Sequence, residues 1–280
     1  MAPPVFGDLG KDARELLTKH YYFGILNTKL SSSLRDFKFT NSINQNFKTK
    51  TIGSSLESKL KVPEYGATLT NKWSSGNVLD CEVCIEDKVY PGLKQTFKYS
   101  RETFTSASTA TVMNSLKSDN YNAQMDMFFK SAIPDLSPSL VISHSGYLAG
   151  VEMKLDCTNR LVQRANFAVG YAVQDFAFHG LISNWGKRFS ASLSQRINDR
   201  LEMAGSVSWS RENEEVAWSV GTKFVLDDEN KHFLKAKLDH LARISLSLTT
   251  YFTKDLQFTL CGLFNGPEMP QLGMGVELEC

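Results

Sequence analysis

From Thr28 onward, apolar side chains recur at every second position rather than every third or fourth. Tyr147, Ala149, Val151, Met153 and Leu155 alternate with Leu148, Gly150, Glu152 and Lys154. The same beat carries Phe167–Val173, Val216–Leu226, Ile244–Phe252 and Leu272–Leu278. Because successive side chains of a strand point to opposite faces, each run predicts a strand with one apolar face and one small or charged face. Turn-forming clusters separate the runs, among them Ser74-Ser75-Gly76-Asn77, Asn198-Asp199, Asp227-Asp228-Glu229-Asn230 and Asn265-Gly266-Pro267. Strands of roughly 10 residues joined by short turns suit a meander of membrane-crossing strands. Strands of a soluble sandwich are shorter, roughly 5–6 residues. With no break in composition, the pattern predicts one large all-β barrel.

The second face decides what such a barrel encloses. It carries Lys59, Lys61, Lys72, Lys94, Lys98, Lys154, Lys223, Lys235 and Lys237, with Glu57, Glu82, Glu86 and Glu152. On one strand this would be a solvated outer face; across a large closed sheet it predicts a watery lumen. Lysines outnumber carboxylates in that set, and a basic lumen concentrates anions.

The N-terminus follows a different period. From about Gly7 to His20 the spacing predicts a helix, with Asp8 placed to cap it and Val5, Leu9, Ala13, Leu16 and Leu17 forming an apolar stripe. At about 20 Å it is too short and too charged to cross a bilayer. It would lie on the membrane surface or inside the pore. The expected division is 1–24, helix and linker, and 25–280, barrel.

Composition narrows the function. The 280 residues are 42% hydrophobic and 22% charged, with net charge +1, which disfavours a nucleic-acid partner. No run of about 18 apolar residues encodes a transmembrane helix, and the N-terminus lacks the apolar core of a secretory signal. A mean hydropathy of −0.25 is compatible with a barrel, whose strands are apolar on one side. The five cysteines have no framework spacing and are read as free thiols. Cys81 and Cys84, three apart in a strand, face opposite sides and make no metal site. Gly180–Lys187 has the wrong length for a phosphate loop, and Arg188 stands where Ser or Thr would bind magnesium. No nucleophile motif occurs. The expectation is therefore no enzyme, no metal and no cofactor.

Several stretches carry a family resemblance. The opening MAPPVFGDLGKDARELLTK, Val62-Pro63-Glu64-Tyr65-Gly66, Thr68-Leu69-Thr70-Asn71-Lys72-Trp73, the Gly92-Leu93-Lys94 triplet, Gly146–Gly150, Asn166–Tyr171 and Gly273–Glu279 occur in family order. Together they resemble the mitochondrial voltage-dependent anion channels, the eukaryotic porins. That family is itself the standard odd-stranded barrel, so the resemblance, not the periodicity, implies 19 strands with first and last parallel. It further implies a voltage-gated, weakly anion-selective, multi-pass channel of the mitochondrial outer membrane. Such a channel passes small ions and metabolites, including ATP and ADP. The helix would lie in the lumen, with Lys11, Arg14 and Lys19, and wall lysines Lys94 and Lys98, meeting passing nucleotides or other anions. Leu9, Asp12, His20, Tyr22 and Gly24 would belong to the gating helix and its hinge. Gln271, Gly273, Val276 and Leu278 resemble the C-terminal sorting signal of mitochondrial barrels. Partners would be membrane lipids, the transported anions and further copies in a homo-oligomer.

Three departures qualify the transfer. The family's glycine-rich hinge is replaced by His20, Tyr21, Tyr22 and Phe23 before a single Gly24, which predicts stiffer helix motion. Asn71 stands where several animal members carry a membrane-facing glutamate linked to hexokinase docking, which puts that docking in doubt. Asp12 replaces a small residue, so Lys11, Arg14 and Lys19 are balanced by Asp8, Asp12 and Glu15, predicting weaker anion preference. Three other readings compete: the related preprotein import pore, a soluble all-β binding or scaffold protein, and a paralogue whose main task is docking or regulation.

Overall fold

The computed structural model describes residues 2–105, 107–129, 133–212, 214–227, 231–266 and 269–280. Among these, nineteen strands form one sheet. They run as β1 (Ile25–Leu34), β2 (Phe37–Asn46), β3 (Ile52–Val62), β4 (Ala67–Ser74), β5 (Val78–Glu86), β6 (Leu93–Glu102) and β7 (Ser108–Lys117). Next come β8 (Tyr121–Phe129), β9 (Asp135–His144), β10 (Tyr147–Asp156), β11 (Leu161–Val173), β12 (Phe176–Ser183) and β13 (Arg188–Asn198). The rest are β14 (Leu201–Ser210), β15 (Glu215–Val225), β16 (Phe233–Asp239), β17 (Ile244–Tyr251), β18 (Leu256–Phe264) and β19 (Gln271–Glu279). Each strand pairs antiparallel with its sequence neighbours. β1 also pairs in parallel with β19, Leu26 opposite Met274 and Leu30 opposite Leu278, which closes the barrel.

The apolar runs read from the sequence became β10, β11, β15, β17 and β19. Their turns follow local chemistry. Asn77 takes a positive φ of 55° between β4 and β5. Asn198 Oδ1 accepts the amides of Arg200 and Leu201 at 3.0 and 2.7 Å between β13 and β14. Of the turn clusters, residues 228–230 and Pro267 lie outside the described residues.

Which face looks outward is settled on β17. Leu246 and Leu248 remain 39% and 41% exposed, whereas Ser245, Ser247 and Thr249 between them are 2%, 0% and 0% exposed. Register extends the apolar face around the wall: Leu248 lies between Leu234 and Leu260, and Phe178 between Tyr171 and Leu193. A water-soluble sheet buries its leucines and wets its serines. This wall does the reverse, as a bilayer requires, and the soluble reading falls.

The helix is shorter than the expected Gly7–His20. A 3₁₀ turn spans Phe6–Asp8, the chain breaks at Gly10 (φ 70°), and α1 runs from Lys11 to Thr18. Asp8 does not cap it: the N-cap is Gly10, and Asp8 pairs with Lys11 at 3.4 Å. Among the described residues no helix is long and apolar enough to cross a membrane.

Leu248→Arg places a charge mid-strand on the lipid face. It should destabilise the bilayer-inserted barrel by about 2–4 kcal/mol in urea titrations on vesicles.

Candidate functional site: a helix docked in the pore lumen

The inner wall is built by the other half of every strand. Glu57, Lys59 and Lys61 on β3 share a face with Lys72 on β4, and Glu82 and Glu86 on β5 stand opposite Lys98 and Lys94 on β6. The nine lysines and four glutamates read from the sequence are only part of this wall's charge. Register adds the acids Asp80, Asp126, Glu202, Asp239 and Glu277 to the same side, and equally the cations Lys29, Lys38, Lys117, Arg164 and Arg196. Each obeys the alternation of its own strand, Asp126 between Met125 and Met127 and Glu277 between Val276 and Leu278, so its parity is already written in the sequence. Several cations are engaged: Lys94 with Glu86 at 2.5 Å, Lys98 with Asp80 at 3.9 Å, and Lys223 with Glu202 at 3.4 Å. Cys81 points outward and Cys84 inward, so the two sulfurs diverge as their spacing predicts.

The N-terminal segment docks against this wall at several points. Asn122 Nδ2 donates to the Pro3 carbonyl at 3.1 Å. Phe6, buried at 7% exposure, packs with Val141, Leu148 and Ala168, and Leu9 leans on the same cluster. Ala13, Leu16 and Leu17 bury against Ala204. The anchors lie on separated parts of the wall, β9–β11 for Phe6 and β13–β15 for α1, and the break at Gly10 lets one segment reach both. The stripe read from the sequence omits Phe6, although it stands three residues before Leu9 and seven before Ala13 and so shares their helical face.

Wall glycines supply the seats. A Cβ at Gly150 would come within 3.0 Å of the Phe6 ring, and one at Gly221 within 2.8 Å of Leu17 Cδ2. A Cβ at Gly273 would collide with the Tyr22 carbonyl, and one at Gly275 with the Tyr22 ring. No single-strand pattern signals the whole track, because its glycines come from three strands.

The linker is strapped as well. His20 sits at φ 68°, a conformation that favours glycine, and its carbonyl accepts Ser247 Oγ at 2.7 Å. The Tyr22 amide donates to Cys261 Sγ at 3.0 Å, and the Gly24 amide to the Leu272 carbonyl at 3.0 Å. Burial, reinforced by Lys235 and Lys19, pushes the His20 imidazole down to about 4. Burial also raises the Tyr22 phenol to about 12, with Glu277 adding to the effect.

The structure divides the residues expected to meet anions between two spaces. Lys11, Asp12, Glu86, Lys94 and Lys117 border a lumenal cavity of about 1020 Å³. Lys19 borders a second, of about 370 Å³, with Arg196, Lys223 and Lys235. Arg14, exposed on α1, donates to the Gly7 carbonyl at 3.0 Å, and Lys98 borders neither space. Asp12 borders both. On β19, Val276 and Leu278 face lipid opposite Phe258 and Leu256, whereas Gln271 and Gly273 face inward.

A closed sheet with a lipid-facing apolar exterior and a charged, helix-bearing interior defines a transmembrane β-barrel pore. The chain belongs to the eukaryotic porin family, whose model matches residues 2–273. It is 33% identical over 282 aligned residues, 99% of each chain, to the human protein named "Non-selective voltage-gated ion channel VDAC1". It is 32% identical, over 99% of each chain, to the Xenopus laevis protein named "Non-selective voltage-gated ion channel VDAC2". The family is one of pores rather than of enzymes.

Two outcomes test the docking. Gly221→Val should push α1 off the wall and speed tryptic cleavage after Arg14 about tenfold, the effect of an overpacking cost near 1.4 kcal/mol, while the barrel stays resistant. His20 is held neutral with its pKa below the ordinary 6.5, so docking is fully retained above pH 6.5 and weakens as pH falls toward 4. A nitroxide at Thr18→Cys should gain mobility across that window, and His20→Gln should abolish the dependence.

Proposed function

We propose that this porin is a voltage-gated channel of the mitochondrial outer membrane. It would pass small ions and metabolites, adenine nucleotides such as ATP and ADP among them, with only weak preference for anions. The observation that carries the reading is the helix docked inside the lumen of a wall apolar outside and charged within. Residues 1–24 act as the movable unit and 25–280 as the fixed barrel.

Lys11 and Lys94, sharing one cavity, stand in for part of the hydration of a passing phosphate, and Lys19 does so at the second. Arg14 and Lys98 add to the field without holding the solute. Leu9 anchors the helix, and His20, Tyr22 and Gly24 form its hinge. The straps on the hinge support the reading that this channel closes less readily than a glycine-hinged one. Asp12, bordering both cavities, opposes anion accumulation. Gln271, Gly273, Val276 and Leu278 serve as the sorting signal to the outer membrane. Asn71 shares the outward face of β4 with Leu69 and Trp73. Its neutral amide supports a channel that does not recruit hexokinase. Membrane lipids and further copies in a homo-oligomer are the remaining partners.

Planar-bilayer recording of the purified protein tests this directly. Step-like conductances that fall at high voltage of either sign are expected, with a reversal potential near zero in a salt gradient. Asp12→Ser should move that potential toward anion selectivity, and His20→Gly with Tyr22→Gly should make closure occur at lower voltage. Absence of discrete conductance steps would overturn the channel reading in favour of a docking role.

A further inference from the structure

An α-helix ends with carbonyl groups that have no partner within the helix, and they carry the negative end of its dipole. In α1 the usual compensations are scarce. The last turn holds no basic residue, and Lys19 at the C-cap is already extended. The Lys19 amide satisfies only the carbonyl of Glu15.

The barrel supplies what the helix lacks. Lys235, on the inner face of β16, is 4% exposed. Its Nζ donates to the carbonyls of Glu15 at 3.3 Å, Leu16 at 3.4 Å and Lys19 at 3.2 Å. An ammonium has three N–H donors, and here three carbonyls of the helix terminus converge on them. The stem and head are enclosed further by the linker, with Nζ 6.0 Å from the Tyr21 ring centroid. Lys237, two residues on, lies at the same distance from that ring. The neighbouring Lys223 is held by Glu202 instead. Lys235 is thus a lumen lysine removed from the pool that meets permeating anions.

We propose that Lys235 is the latch of the lumenal helix: its ammonium clasps the C-terminal carbonyls of α1, and the helix leaves the wall only when that clasp opens. The role is one of positioning, and its bearing on gating rests on the reading above that residues 1–24 are the movable unit. Charge-assisted bonds from a buried ammonium are strong, and a helix that departs leaves the charge either to water or to a carboxylate nearby. Release should therefore be costly without being prohibited, as a gate requires.

The test places a nitroxide at Thr18→Cys, on the exposed face of α1, in full-length protein whose five cysteines are serine, reconstituted in vesicles. Lys235→Met should raise the ratio of mobile to immobile label about tenfold, the weight of one charge-assisted bond of modest strength. Lys235→Arg should hold the helix, and Lys235→Gln, one bond shorter and uncharged but with two N–H donors, should fall between. In planar bilayers the Met variant should close at lower voltage with unchanged open conductance, which also shows that the barrel is intact. A label equally immobile in the Met and Gln variants would overturn the latch. A label released with an unchanged voltage response would leave the latch standing and sink the reading of the helix as the gate.

Discussion

Closure governs this molecule. Inside a bilayer every strand-edge amide and carbonyl must find a partner within the protein, and an odd number of strands can meet that demand only if two neighbours run parallel. The β1–β19 seam meets it, reinforced by the ion pair of Lys29 with Glu277 at 3.1 Å and by the Cys280 amide on the Ser31 carbonyl at 2.8 Å. Once the ring is closed, each residue's parity fixes whether it meets lipid or water. The outward leucines and inward lysines follow from that one constraint.

The interior is then a problem of docking a polar-faced helix against a polar wall with little hydrophobic force to spare. The solution uses a few concentrated contacts: Phe6 in one apolar niche, Leu16 and Leu17 in another, and a lysine on the helix terminus. Glycines in the wall set how close the segment comes, and the linker's hydrogen bonds set where it ends. Bulky residues in the linker are tolerated because the wall opposite Tyr22 is itself glycine. Flexibility absent from one partner is matched by open space in the other.

Much of this was legible in the chain. Period-2 runs such as Ile244–Phe252 gave both the strands and the correct face, because lipid and water select opposite parities so strongly. Strand number was not legible, since a count needs every weak strand, and β2 with its asparagines and β5 with its mixed charges hide theirs. It came from resemblance. The helix was overextended because Leu9 and Asp8 fit a helical spacing, whereas the real constraint was Phe6 reaching a different strand. The glycine track and the Lys235 clasp are contacts between residues more than 100 positions apart, and no local pattern encodes them. The lumen charge tally was incomplete for a simpler reason: it left out charges of both signs whose parity their strands already carried, Asp126 and Glu277 with Lys29 and Lys117 among them.

The seats for Tyr22 have a consequence for assembly. Cys261, Gly273 and Gly275 belong to the last two strands, whereas the linker they receive precedes the first. The segment made earliest can therefore take its final place only after the strand made latest is in position. A barrel left ajar would carry a loose N-terminus, and docking becomes a built-in check that the ring has been sealed before the pore is put to use.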